Sequence, residues 1–229
     1  MDVFFPRHCP VCDRLLPMGK GVHPACALTW KRITGPTCLR CGKALSGSYK
    51  DEEFCEDCKR RRHFFDRGIA VFPYRSIASS LYRFKYEGRQ EYAAYFGQEI
   101  FLHCASFLAQ IRPDALIPVP MYEKKRRSRG YNQAALLARE VSKRSGIPMR
   151  DRLVIRVKNT APQKQMDAHR RRQNLKNAFF LRESVVELKC VVIIDDIYTT
   201  GSTMDALATL LKANGVHRVY AVSLSIGTL

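Results

Sequence analysis

The 229-residue sequence lacks any apolar run approaching the roughly 20 residues needed to cross a bilayer, so membrane insertion is not expected. Its opening stretch, Met1 to Cys9, has no long apolar core and no signal-peptide layout, which points to a cytoplasmic chain. Acidic residues are few: 21 Asp and Glu stand against 39 Lys and Arg, a formal net charge of +18. A field of that sign attracts polyanions, from nucleotides to nucleic acid. Two common phosphate-binding signatures are also missing. No Gly-Lys-Ser/Thr completes a Walker loop, and no Gly-x-Gly-x-x-Gly opens a dinucleotide-binding turn.

What is present is concentrated at the two ends. Seven of the nine cysteines fall in the first 58 residues. Without a secretion signal, closely spaced pairs of this kind hold metal more often than they form disulfides. Cys38-x-x-Cys41 and Cys55-x-x-Cys58 can present four thiolates at the corners of a tetrahedron, a closed structural Zn2+ site with no open position for chemistry. A weak repeat precedes it. Cys9, Cys12, Leu16 and Cys26 recur 29 residues later as Cys38, Cys41, Leu45 and Cys55. The repeat fails at the fourth ligand, because Cys58 aligns with Thr29; His23 can fill the gap and complete a second site with Cys9, Cys12 and Cys26. Cys104 and Cys190 stand apart in apolar surroundings and read as buried hydrophobes.

The basic run Lys59–Arg62 marks the boundary between a zinc-binding module, residues 1–62, and a main domain, residues 63–229. Within the latter, strand and helix signals alternate. Strands are expected at 69–72, 115–119, 153–155, 191–194 and 219–224. Helices are expected at 76–86 and 90–110, from a cap at Asn132 to Gly146, and from Ser202 to Asn214. A basic loop is expected after residue 119, and a long basic polar loop from about 156 to 176. Val191–Ile194, four branched apolar residues in a row, implies burial on both faces, as in a parallel sheet. The order indicates an open, mostly parallel α/β sheet with helices on both faces.

That strand runs into Asp195-Asp196-Ile197-Tyr198-Thr199-Thr200-Gly201-Ser202-Thr203. Two adjacent carboxylates are delivered to the C-terminal end of a buried strand, where ligands of open α/β sheets bind. The loop then turns at Gly201 into a helix, so that the N–H groups of Thr200 to Thr203 can surround a phosphate. Asp195 and Asp196 suit sugar hydroxyls, directly or through a metal ion. The segment resembles the 5-phosphoribosyl-1-pyrophosphate (PRPP) motif of type I phosphoribosyltransferases. The resemblance implies that Asp195 and Asp196 serve the ribose and that Thr199, Thr200, Gly201, Ser202 and Thr203 hold the 5-phosphate, with Mg2+ accompanying PRPP. Pro120 and the basic stretch containing Arg126 and Arg129 then suit the pyrophosphate, and Lys158 and Arg171 lie in the expected closing loop.

Read as a whole, the paired cysteines resemble the ComF (ComFC) family of bacterial competence proteins when taken in order with Phe84-Lys85-Tyr86-Glu87-Gly88, Pro118-Val119-Pro120, Arg129–Gln133, Thr160-x-x-Gln163, Arg171-Arg172-x-Asn174-Leu175 and the PRPP motif. The resemblance implies cytoplasmic handling of incoming single-stranded DNA, with a helicase-like competence protein as partner. It names no acceptor substrate. Cys9, sitting in a metal-type pair, is a poor candidate for a glutamine-splitting nucleophile. The alternatives are a metabolic phosphoribosyltransferase acting on a small amine or base, and a scaffold that retains the motif without catalysis.

Overall fold

The computed structural model describes residues 7–45, 47, 52–157 and 178–227. Lys158, Arg171 and the expected closing loop lie outside the described residues. In chain order the strands are β1 (Arg67–Pro73), β2 (Ala115–Pro118), β3 (Val154–Arg156), β4 (Phe179–Leu181), β5 (Cys190–Tyr198) and β6 (Arg218–Ile226). The helices are α1 (Pro24–Ala27), α2 (Glu56–Arg60), α3 (Tyr74–Tyr86), α4 (Tyr92–Ile111), α5 (Glu123–Arg129), α6 (Gln133–Ser145) and α7 (Ser202–Ala213). None is long and apolar enough to cross a membrane among the described residues.

The central sheet has the order β1-β6-β5-β2, and each neighbouring pair is parallel. Alternation along β5 divides the core. Val191 and Ile193 face Leu207, Ala208 and Leu211 of α7, whereas Val192 and Ile194 face the apolar sides of α3, α4 and α6. Cys104 and Cys190 are both buried, and burial pushes the Cys104 thiol up to about 12 and the Cys190 thiol upward as well. Both therefore stay protonated and pack as hydrophobes.

Two elements differ from expectation. Residues 123–129 form α5 rather than part of a loop. Its seven residues include no large apolar side chain, so no periodicity marked it. It is held by Glu123, which accepts from Arg126 at 2.9 and 3.0 Å and from Arg127 at 3.3 Å, and by Gly130 at φ 85° behind it. The antiparallel partner of β3 is β4, three residues long and too short to announce itself.

The 29-residue repeat is a repeat of hydrogen bonds. Cys9 N–H donates to Arg14 O as Cys38 N–H does to Lys43 O, and Leu16 N–H donates to Arg7 O as Leu45 N–H does to Pro36 O. Asp13 and Gly42 occupy the same position in the two ribbons, both left-handed, at φ 59° and 79°. In the second ribbon the residue must be glycine. A Cβ on Gly42 would sit 2.8 Å from the backbone of Ala70 and Ile69, because this ribbon lies against β1. Ile33 N–H donates to Val71 O at 2.7 Å and Gly68 N–H to Arg40 O at 2.6 Å, covering the sheet edge. The first ribbon docks elsewhere. Ser80 donates to Pro10 O, Arg83 to Val11 O, and Asp13 pairs with Arg89 at 2.9 Å and accepts from Tyr92.

Candidate metal centres and phosphate cradle

The sulfurs of Cys38, Cys41, Cys55 and Cys58 all lie within 4.8 Å of one another, and all four residues are buried. Zinc–thiolate bonds of about 2.3 Å place tetrahedral sulfurs about 3.8 Å apart; Cys41 and Cys55 Sγ are 3.7 Å apart. The residues present therefore fit zinc. Cys9, Cys12, His23 and Cys26 form the second such set. Cys12 Sγ lies 3.4 Å from His23 Nδ1, close to the roughly 3.6 Å edge of a mixed sulfur–nitrogen site. His23 Nε2 lies 3.0 Å from Leu15 O. A donated Nε2–H there leaves Nδ1 as the ligand atom, the usual way a second hydrogen bond orients a metal-binding imidazole.

At the C-terminal end of its strand β5 releases Asp195 and Asp196. They project to opposite faces of the strand. Asp196, 8% exposed, shares the face of Val192 and Ile194, against which α3 packs, and there Lys85 reaches its carboxylate at 2.5 Å. Asp195 accepts from the Asp196 N–H at 2.9 Å. Burial, reinforced by the Asp196 charge, pushes the Asp195 carboxyl well above the usual carboxylate range, with Lys85 opposing. Arg156 from β3 is the cation whose own pKa Asp195 supports against burial. Partial burial, with the charges of Arg156 and Arg129, holds the Lys125 ammonium below its ordinary value. Arg156 is thus within electrostatic reach of Asp195, and Lys125 within reach of Arg156 and Arg129. Arg129 also stacks over Tyr86 at 4.7 Å and donates to Gln133 at 2.9 Å. Arg126 instead pairs with Glu123 on the exposed side of α5. Pro120 is buried where β2 leaves the sheet.

The raised Asp195 carboxyl has a measurable consequence. An aspartate in an unfolded chain titrates near 3.9. Folding favours the protonated form here, so this contribution to stability is complete below the ordinary value and is lost as pH rises through the folded one. Asp195→Asn, neutral at every pH, is expected to raise the thermal midpoint of the ligand-free protein at pH 7–8, by about 2–4 °C for each kcal/mol recovered. The gain should shrink toward zero near pH 4. A midpoint at pH 8 equal to or below that of the wild type contradicts the burial argument.

The loop after Tyr198 lines a pocket that opens to solvent, together with Asp195, Ile197 and Met204. Gly201, at φ 74°, caps α7. No other residue fits there, since a Cβ would meet Tyr198 Oη at 2.4 Å and His63 Cε1 at 2.8 Å. Behind the loop, His63 Nδ1 contacts Asp205 at 2.9 and 3.1 Å, Phe64 N–H donates to Asp205 at 2.9 Å, and Tyr198 Oη lies 3.2 Å from His63 Nε2. Burial raises the Tyr198 hydroxyl pKa, so it keeps its proton beside His63.

Lys85, Arg156, Arg61, His63 and Asp205 were not singled out for this site by the sequence. Lys85 had a signal, since it stands in the Phe84–Gly88 stretch. Tyr131, although it follows an arginine-rich stretch in the sequence, is buried and donates to Phe84 O. Of the basic run before the main domain, Lys59 and Arg60 pair with Glu52 and Glu56, Arg61 turns inward, and Arg62 is exposed.

Comparison with known proteins agrees with this geometry. Residues 1–59 match the double zinc ribbon domain family and residues 127–225 the phosphoribosyl transferase domain family. The molecule is thus a type I phosphoribosyltransferase-like domain joined to a double zinc ribbon. The chain is 33% identical to competence protein F of Haemophilus influenzae, over 94% of this chain and 95% of that protein. It is 31% identical to the DNA utilization protein YhgH of Escherichia coli strain K12, over 93% and 94% of the two chains. To competence protein ComFC of Bacillus subtilis it is 28% identical, over 83% and 78%. The chain belongs to the ComF family of competence and DNA utilization proteins.

Proposed function

We propose that the chain binds PRPP with Mg2+ at the C-terminal end of β5, and that it serves the handling of single-stranded DNA in natural transformation, in the cytoplasm. The observation that carries the first half is the pocket itself, lined by Asp195 and the loop 197–204 and closed behind by a glycine that admits no side chain. In this reading Asp195 and Asp196 take the ribose hydroxyls, directly or through Mg2+. The N–H groups of Thr200, Gly201, Ser202 and Thr203, with the α7 N-terminus, take the 5-phosphate. Pro120 turns the chain so that Arg129, with Lys125 and Arg156, faces the pyrophosphate; Arg126, held by Glu123 on the exposed side of α5, would have to leave that pair to join them, and Lys158 and Arg171 are the cations the sequence offers for the closing loop. As a phosphoribosyltransferase the site would break the C1–O bond of PRPP, release pyrophosphate and pass the phosphoribosyl group to an acceptor. A metabolic role on a small amine or base uses the same groups. Residues 1–62 and 63–229 form the two functional units of this reading. A helicase-like competence protein is the protein partner it implies.

The second half rests on charge. Lys124, Lys125 and Arg127 are exposed on α5 and Arg62 lies near the ribbon. Tyr82 and Tyr86 are exposed on α3 with rings 5.0 Å apart, beside Arg129. Phosphate contacts from such cations carry no sequence information, and exposed aromatics stack on any base. Single-stranded DNA is therefore expected to bind with little sequence preference. Affinity should fall steeply with salt, with a log–log slope of about −0.7 per phosphate neutralised. Because α5 borders the cradle, saturating PRPP and Mg2+ should weaken DNA binding. A fluorescence titration of labelled DNA at several salt concentrations, with and without PRPP, tests both halves. Binding indifferent to salt contradicts the electrostatic account, and DNA affinity unchanged by bound PRPP places the DNA path on another face.

A further inference from the structure

We propose that Arg61, carried by the second zinc ribbon, orients the hydroxyls of the phosphate loop as donors, so that metal loading of the ribbon and phosphate binding at residues 199–203 are linked. The inference rests on the PRPP reading above and adds to it a positioning residue from outside the phosphoribosyltransferase domain.

The linkage begins with chain connectivity. Cys55 is the N-cap of α2, Cys58 lies within it, and Arg61 is its C-cap. Two of the four thiolates that fit zinc therefore fix the short helix that aims Arg61. The side chain leaves this helix inward and is 13% exposed. One guanidinium nitrogen lies 2.9 Å from Ser202 Oγ, and Asp205 stands 4.0 Å away. Ser202 Oγ in turn lies 2.9 Å from Thr200 Oγ1.

Donor direction follows from the chemistry of the groups. A guanidinium only donates, so Ser202 Oγ must accept from it. A hydroxyl oxygen has a second lone pair, but the positive guanidinium repels the Ser202 hydrogen and so favours turning it toward Thr200 Oγ1; in this inference the Thr200 hydrogen is then left for an acceptor in the pocket. Without Arg61 the two hydroxyls can reverse, and the loop can present lone pairs to the space where a phosphate would sit. The remaining contacts of the linker hold the same loop from behind. His63 touches Asp205 and Tyr198, and Phe64 N–H donates to Asp205. Arg61 Nε is buried with no hydrogen-bond partner among the described residues. A buried cationic donor left unpaired is costly by itself, and a phosphate dianion in the adjoining pocket offsets that cost electrostatically.

Calorimetry on zinc-loaded protein, with PRPP and Mg2+, ribose 5-phosphate and inorganic pyrophosphate as separate probes, tests the inference. Arg61→Ala, with its zinc content checked by metal analysis, is expected to lose about ten-fold in affinity for PRPP and for ribose 5-phosphate. Affinity for pyrophosphate, which has no 5-phosphate, should stay within about two-fold of wild type. A merely structural role would weaken all three alike. Arg61→Gln keeps donors without charge and should fall between Ala and wild type; it carries the test if the Ala variant loses metal. Removing zinc by chelation should weaken ribose 5-phosphate binding in the wild type more than in Arg61→Ala. If the wild type binds PRPP and the Arg61 variants bind PRPP and ribose 5-phosphate equally well, this inference falls and the PRPP reading stands. If the wild type binds neither, both fall.

Discussion

Asp196→Lys is expected to abolish PRPP binding. Asp196 is nearly buried and its carboxylate lies 2.5 Å from Lys85. The substitution removes the acidic group proposed for the ribose, fills its space with a longer side chain and sets two ammonium groups against each other. Losing one partner of a buried pair costs about 3–5 kcal/mol, because the remaining charge is left uncompensated. The Lys variant should therefore also melt earlier. Asp196→Asn separates the two effects. It keeps shape and some hydrogen bonding, so the fold should hold while affinity drops by about 1.5–3 kcal/mol, the range for a hydrogen bond to a charged group. Calorimetry and thermal denaturation of both variants provide the measurement. Wild-type affinity in a folded Asp196→Lys protein would contradict the assignment.

Cys41→Ser should produce the largest loss of structure. Cys38, Cys41, Cys55 and Cys58 belong to the same apolar cluster as Ala70 of β1 and Leu207, Leu211 of α7. Structural zinc supplies about 10–16 kcal/mol in isolated fingers, so even partial loss of coordination removes a large share of the roughly 5–15 kcal/mol that holds a domain folded. With the second ribbon unfolded, the backbone bonds of Ile33 to Val71 and of Gly68 to Arg40 disappear and the β1 edge is exposed. Aggregation on heating is then expected. Cys9→Ser should be milder. Its site includes exposed Cys12 and half-buried Cys26 and His23, and that ribbon docks on α3 and α4 through polar contacts away from the sheet edge. Metal analysis should give two zinc ions per wild-type chain and fewer in each variant. A zinc-free wild type purified without chelator contradicts the metal account, and a Cys41→Ser protein as stable as Cys9→Ser contradicts the packing argument.

The sequence was most informative where a signal is local. Val191–Ile194 followed by two carboxylates and a Thr-Thr-Gly turn fixed the strand, its buried position and the loop, because burial on both faces leaves a run that little else produces. Asn132 and Gly146 bounded α6 through a side-chain cap, Asn132 Oδ1 accepting from Ala134 N–H at 3.1 Å, and a left-handed stop. The cysteine repeat was legible because metal ligands recur at fixed spacing.

What escaped was short or distant. α5 has charge but no apolar period, and β4 has three residues. Arg61 and Ser202 are separated by 141 positions, and Lys85 and Asp196 by 111, the difference of their residue numbers. Nothing in either neighbourhood alone states that pairing. Arg61 was read with Lys59, Arg60 and Arg62 as one basic run, whereas the fold turns one member inward and pairs two with glutamates. Tyr131 likewise parts from its sequence neighbours, since the arginines before it lie on α5 while its ring packs near Phe84.

The most direct measurement of the central claim is a calorimetric titration of PRPP into zinc-loaded protein in the presence of Mg2+. Saturable binding of one PRPP per chain, weakened when Mg2+ is withdrawn and competed by ribose 5-phosphate, is the predicted result. No heat of binding and no shift of the thermal midpoint at millimolar PRPP would contradict it.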